Sequence, residues 1–347
     1  MKRKIVVNDI AASSGGALTV LLEFYEAVKR CTADAEWIFI LSEKYIEETE
    51  KIKVVLLPKV KRHINRLVFE YCSGAKIINR YKPDVYFSLQ NTTIRGCIGK
   101  TITYVHQSLP FQDKKTYSYF KRDEFDMAVI QKILGRVIKQ SIKKSDLVIV
   151  QTKWMEKAVK QECKVQNVLQ IYPAFPNVPY KAEYRNTNTF FYPTSNAAYK
   201  NNDVLLQAQK HLNNEGINTK VILTNDGCID EKNIEFIGRI EKDEVYKYYS
   251  KSCLVFPSYI ETFGYPLVEA RMEGSIILAS DTEFSHELLE DYVNAYFFDP
   301  FNSDELYELM KKVANGEIER KQEVALPAML QNESNSWDRL VSTIVSF

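Results

Sequence analysis

The chain has 347 residues, 45% hydrophobic and 26% charged, an ordinary globular composition with room for two domains. No apolar run approaches the ~20 residues of a membrane-spanning helix, and the opening MKRKIVVNDI is expected to be a first strand, because Asn8 and Asp9 end its apolar run too early for a signal peptide. The net charge of +1 conceals two halves of opposite sign: residues 1–165 hold 30 Lys+Arg against 18 Asp+Glu, and residues 166–347 hold 16 against 27.

Six cysteines (Cys31, Cys72, Cys97, Cys163, Cys228, Cys253) show no C-x-x-C spacing, and the four histidines form no H-x-x-x-H cluster. Reduced thiols in a cytoplasmic protein, without a zinc site, are the expectation.

In chain order, KIVVND reads as a strand and GGALTVLLEFYEAVKR as a helix with apolar residues at helical spacing. EWIFILS and IKVVLLP are strand-like, LVFEYCSGAKIINRY is helical, and PDVYFSL and KTITYVHQ are again short strands. A helical stretch over 127–144 leads into the strand SDLVIVQT. Three prolines and little periodicity then mark a linker over 171–189, after which the alternation restarts with FFYPTS, NNDVLLQAQKHLNN, KVILTN and IEFIG. KDEVYKYYSKS, CLVFPS, PLVEARMEG and SIILAS continue it as helix, strand, helix and strand. Strands alternating with helices predict an α/β fold of two Rossmann-like parallel-sheet domains facing a central cleft. The expected boundaries are 1–170, linker 171–189, 190–330, and a C-terminal helix within 331–347 opened by the N-cap-like Ser336.

Chemistry concentrates in PSYIETFGYPLVEA, residues 257–270, where Glu261 and Glu269 have seven residues between them. Gly264 and Pro266 end a loop and open a helix, placing Glu261 on the loop and Glu269 in the first helical turn. The orphan N–H groups of such a helix suit an anion or a hydroxyl-rich ligand. Spacing alone also permits a plainer reading, with Glu269 favouring the helix dipole and Glu261 solvated.

Residues 236–281, with the pattern PS-x-x-E-x-FG-x-P-x-x-EA followed by Gly and a strand ending in SD, resemble the donor-binding half of retaining GT-B glycosyltransferases of family 4. The resemblance implies that Glu269 binds the nucleotide ribose and Glu261 the donor sugar, with the backbone of Phe263, Gly264 and Tyr265 lining sugar and phosphate. It implies a Gly-Gly turn at Gly15 and Gly16, ahead of a helix facing the donor diphosphate; the plainer reading is a flexible βα loop. His106, at a strand end in TYVHQSLPF, matches a histidine near the donor sugar, although a lone histidine also serves structure. Lys200 matches the lysine that pairs with the diphosphate, while the customary arginine six residues earlier is Thr194 here. Arg239 falls in a segment beside the base and is left out of the predicted site, and Lys153 reads as a surface residue.

No D-x-D triplet occurs, so the expected site has no metal and no cofactor, with Lys200 and helix N-termini stabilising the leaving group. The resemblance further implies retention of configuration, the departing phosphate acting as base, and a final helix that crosses back to the first domain.

Positive charge clusters at 59–67, 114–122 and 131–144, the last as an amphipathic helix. It is either a solvated face or a contact with anionic lipid that presents a lipid-linked glycan; no nucleic-acid module accompanies it. The expectation is a cytoplasmic glycosyltransferase, peripheral on the inner face of the cell membrane. It would move sugar from a nucleotide-sugar to a glycan acceptor in O-antigen or capsule synthesis. The alternatives are a GT-B epimerase or phosphorylase, or a non-catalytic nucleotide-sugar-binding subunit.

Overall fold

The computed structural model describes residues 2–12, 15–61, 68–174, 188–227, 231–321 and 336–347. Most of the expected linker, part of the basic run 59–67, Cys228 and the first residues of the expected C-terminal segment lie outside them. The chain divides into two compact units, one of residues 1–119, 125–175 and 333–347, the other of 120–124 and 176–332.

The first unit holds a seven-stranded, wholly parallel sheet. Its strands are β1 (Arg3–Asn8), β2 (Ala35–Leu41), β3 (Ile52–Leu56), β4 (Val85–Ser88), β5 (Lys100–Val105), β6 (Leu147–Val150) and β7 (Val168–Gln170), in the order β3-β2-β1-β4-β5-β6-β7. Burial on both faces explains why β2 reads AEWIFIL without alternation. The helix Gly15–Arg30 presents Val20, Leu21, Phe24, Tyr25 and Val28 to the core at helical spacing, against Trp37, Phe39 and Phe87.

The final helix, Ser336–Ser346, belongs to this same core. Trp337 packs on Phe24 and Tyr104, with centroids 6.4 and 6.2 Å away, and its indole N–H donates to Glu23 Oε2 at 2.9 Å. Burying such a side chain contributes roughly 1.5–3 kcal/mol. Asp338 pairs with Arg30 at 2.8 Å.

The helical stretch expected over 127–144 starts at Phe125, takes a π-helical course over Val129–Leu134, and ends as the α-helix Gly135–Ile142. Gly135 sits against Pro110, where an added Cβ would lie 2.9 Å from the proline ring. A second π segment, Phe69–Ser73, precedes the short helix Gly74–Asn79. Neither widening has a signature in the apolar spacing.

The second unit carries a six-stranded parallel sheet of β8 (Thr189–Tyr192), β9 (Lys220–Leu223), β10 (Ile234–Phe236), β11 (Cys253–Phe256), β12 (Ile277–Ser280) and β13 (Ala295–Phe298). The order is β10-β9-β8-β11-β12-β13, so the strand order reverses between β8 and β11. In open α/β sheets, ligands bind at such a reversal, outside the carboxyl ends of the strands. The five described cysteines are free thiols, and among the described residues no helix is long and apolar enough to cross a membrane.

Candidate functional site

Two loops leave the carboxyl edge of the second sheet on either side of its reversal point. After β8 the chain runs through Pro193 into the short turn Ala198–Lys200. After β11 it runs from Pro257 to Gly264 before the helix Tyr265–Met272. Lys200 Nζ meets Glu261 Oε1 at 2.5 Å, and each side chain keeps only 16% of its exposure. Ser258 Oγ donates to the same carboxylate oxygen at 2.8 Å, and the Tyr192 hydroxyl donates to the Lys200 carbonyl at 3.0 Å. Burial opposes the ammonium charge, but the Glu261 carboxylate and the neighbouring Tyr192 and Tyr199 more than offset it, so the Lys200 pKa lies above its usual value.

Gly264 caps the helix with φ 99°, a conformation that side chains rarely adopt. Pro266 stands in the first turn, as its fixed φ and missing N–H allow. Phe263 is buried, with its ring 5.2 Å from that of Tyr265.

Glu269 is not in the first helical turn as its spacing suggested: the helix starts at Tyr265, so Glu269 is its fifth residue and sits in the second turn. Orphan N–H groups and the dipole's local effect belong to the first turn, and side chains hold this carboxylate instead. The buried Tyr249 hydroxyl donates to Oε2 at 3.1 Å, and Lys242 Nζ stands 3.9 Å from Oε1. Burial pushes the Glu269 pKa up, while Lys242, Tyr249 and Tyr246 oppose that shift.

A separate pocket of about 300 Å³ opens beside this corner. Thr194, Ser195 and Asn196 after β8, Thr224, Asn225 and Asp226 after β9, and Arg239, Ile240 and Val245 beyond β10 form its walls. Arg239, left out by sequence reasoning, is therefore a wall residue; its place just after a strand end was the available signal. Thr194 also lines the pocket, but its hydroxyl donates to Asn202 Oδ1 at 2.8 Å and its N–H to Thr224 Oγ1 at 2.8 Å.

The remaining predicted residues lie in the first unit. Gly15 and Gly16 do not form a turn; they are the first two residues of the helix Gly15–Arg30. An added Cβ at Gly16 would meet nothing within 4 Å. His106 follows β5, and its backbone N–H donates to Oδ1 of Asn91, a left-handed residue, at 2.7 Å. Burial pushes the His106 pKa down to about 4, so the ring is neutral at pH 7. The site thus brings Lys200 together with Glu261 in one unit, with Glu269 on the adjoining helix, whereas Gly15, Gly16 and His106 stand on the other unit. Among the described residues, no three His, Cys, Asp or Glu side chains gather as metal ligands would.

Residues 177–325 match the family model described as glycosyl transferases group 1. No curated protein matches the sequence. The chain shares its fold with sucrose-phosphate synthase (tll1590) from Thermosynechococcus elongatus, at 14% identity and TM-score 0.65 over 99% of this chain and 96% of that one. It is also similar to Anabaena Alr3699/HepE in complex with UDP-glucose (16% identity, TM-score 0.67, 99% of each chain). The apo form of the lipopolysaccharide outer core galactosyltransferase WaaB matches at 12% identity and TM-score 0.67, over 99% of each chain. The family match is confined to residues 177–325, and the solved structures share with this chain the fold of two Rossmann-like parallel-sheet units.

Proposed function

We propose that this protein transfers a sugar, with retention of configuration, from a nucleotide-diphosphate sugar to a glycan acceptor in assembly of a bacterial surface polysaccharide. The observation that carries this reading is the Lys200–Glu261 pair at the reversal point of the second sheet. A half-buried ammonium beside a carboxylate can receive both halves of a sugar–phosphate junction: Lys200 takes the phosphate charge and Glu261 a sugar hydroxyl. Glu269 accepts from the ribose, and the pocket walled by Ile240, Val245 and Arg239 takes the base. No metal enters the proposed chemistry, because Lys200 and backbone N–H groups supply the stabilisation of the leaving diphosphate, which itself serves as the base. HepE is solved with UDP-glucose and WaaB is a lipopolysaccharide galactosyltransferase, which favours a nucleotide-sugar donor and a lipid-linked glycan acceptor.

A peripheral membrane site on the first unit suits such an acceptor. Tyr119, Phe125, Ile133 and Leu134 are exposed, Lys132 Nζ lies 4.8 Å from the Tyr119 ring centroid, and Arg136 follows on the same helical run. A second reading, a nucleotide-sugar-binding subunit without turnover, is favoured by Thr194, whose hydroxyl is committed to Asn202. A thermal-shift screen of nucleotides and nucleotide-sugars, followed by transfer assays with the stabilising donors, separates the two. Binding with transfer supports the enzyme, and binding without transfer or hydrolysis across donors and acceptors overturns it.

A further inference from the structure

The residue after Lys200 is Asn201, with φ 58° and ψ 39°. Here the chain leaves the turn Ala198–Lys200 and enters the helix Asn202–Asn214. Asn tolerates this left-handed conformation better than most residues, and glycine would meet the backbone requirement equally well. Asn201 adds an amide. Its Nδ2 donates to the Pro257 carbonyl at 3.3 Å and also to the Pro300 carbonyl. Pro257 starts the loop that carries Ser258 and Glu261, and Pro300 follows β13. One side chain from the β8 loop thereby ties down the exits of two other strands.

Neighbouring bonds act in the same direction. Tyr259 N–H donates to the Tyr199 carbonyl at 3.2 Å, and Ser258 Oγ lies 3.2 Å from the same oxygen. The backbone on both sides of Lys200 is thus fastened to the loop that bears Glu261. The contact between the two charges is set by backbone position, with little left to the flexibility of two long side chains.

We propose that Asn201 is a positioning residue for the reaction, holding Lys200 and Glu261 at the separation that receives the donor's sugar–phosphate junction. The inference rests on the donor-site reading given above. It assigns to the Asn201 amide a role in turnover that its backbone conformation alone does not require.

The test uses the full chain with N201G, which keeps the left-handed backbone and removes the amide. N201D is the second variant; it keeps the shape and turns a carboxylate oxygen toward two carbonyls. Both are assayed at a temperature where circular dichroism shows them folded, with a nucleotide-sugar that the wild type turns over. The expected result is a fall in kcat/KM of about tenfold for N201G, with a larger fall for N201D. In an E261Q background the same N201G change is expected to cost less than about threefold, because residues acting as a unit are not additive. Wild-type kcat/KM in both folded variants, with only the melting temperature lowered, would assign Asn201 a purely structural role and overturn the proposal. So would fully additive losses with E261Q. A wild type that neither binds nor turns over any nucleotide-sugar overturns the donor-site reading itself and this inference with it, an outcome visible before any variant is made.

Discussion

Lys200 and Glu261 are 61 residues apart in the chain, yet their side chains meet at 2.5 Å on the carboxyl edge of one sheet. With both groups largely removed from water, each charge depends on the other. Removing one partner of a buried pair costs about 3–5 kcal/mol in general, and residual exposure places this pair at or below the lower end.

Lys200→Ala is therefore expected to lower stability by about 2–3 kcal/mol and sugar transfer by on the order of 100-fold or more. Glu261→Gln keeps an acceptor for Ser258 but releases the lysine charge. It is expected to bind nucleoside diphosphate more tightly while transferring sugar more slowly. Calorimetric titration and initial rates check both variants; near-normal turnover by K200A would remove Lys200 from the site.

Glu269 gives a pH signature. Burial holds its native pKa above the free value of 4.5, so the folded state keeps the proton at a pH where the unfolded chain has lost it. Its contribution to stability is full below 4.5 and is lost as pH rises through the native value. Glu269→Gln does not titrate, so its stability relative to wild type is expected to improve between pH 4 and pH 7. Nucleotide affinity in the same variant is expected to fall by about tenfold, the loss of one charged hydrogen-bond acceptor. Urea midpoints across that pH range check the sign; a difference that stays constant contradicts it.

Gly264 is a backbone requirement more than a space requirement, since an added Cβ meets Leu267, Leu288 and Phe284 at 3.4–3.7 Å, ordinary contact distances. Alanine at φ 99° is expected to cost about 1–2 kcal/mol, a melting-temperature drop of roughly 2–8 °C. Transfer is expected to decline as the loop bearing Glu261 shifts. Gly264→Asn, which tolerates left-handed backbone better, is expected to recover part of both; equal damage from Ala and Asn would point to crowding instead.

The exposed apolar and basic residues of the first unit lead to a membrane assay. Co-sedimentation with anionic vesicles is expected to weaken with added salt, and to weaken by several-fold in a Lys132→Glu, Ile133→Glu double variant, given about 1 kcal/mol per basic residue at such a surface. Salt-insensitive binding, or none, argues against docking at this face.

Much of the scaffold is readable from local pattern. The body and closing end of the helix Gly15–Arg30 follow from its apolar spacing and closing basic residues, and the runs IVVN and CLVF stand out as buried strands. Other features depend on distant neighbours. β7 has three residues, and β13, AYFF, is only partly buried along most of its length, so neither announces itself. The meeting of Lys200 with Glu261 requires β8 and β11 to be adjacent, which no local window contains. Arg239 joins the pocket because β10 lies at the sheet edge beside β9. Glu269 lies one turn further into its helix than the loop–proline pattern predicts, because Pro266 marks the start of the helix and Glu269 is its fifth residue.

The helix Ser336–Ser346 completes a core whose first strand begins at Arg3. Ribosomes deliver those segments in order, so Phe24, Tyr104 and their neighbours must wait, without Trp337, while the second unit is being synthesised. A fragment stopping near residue 175 would carry every strand of the first sheet and still expose the apolar face that Trp337, Leu340, Val341 and Ile344 cover. The second unit thus interrupts the first in sequence, and the core of the first closes only once residues 336–346 have followed the second.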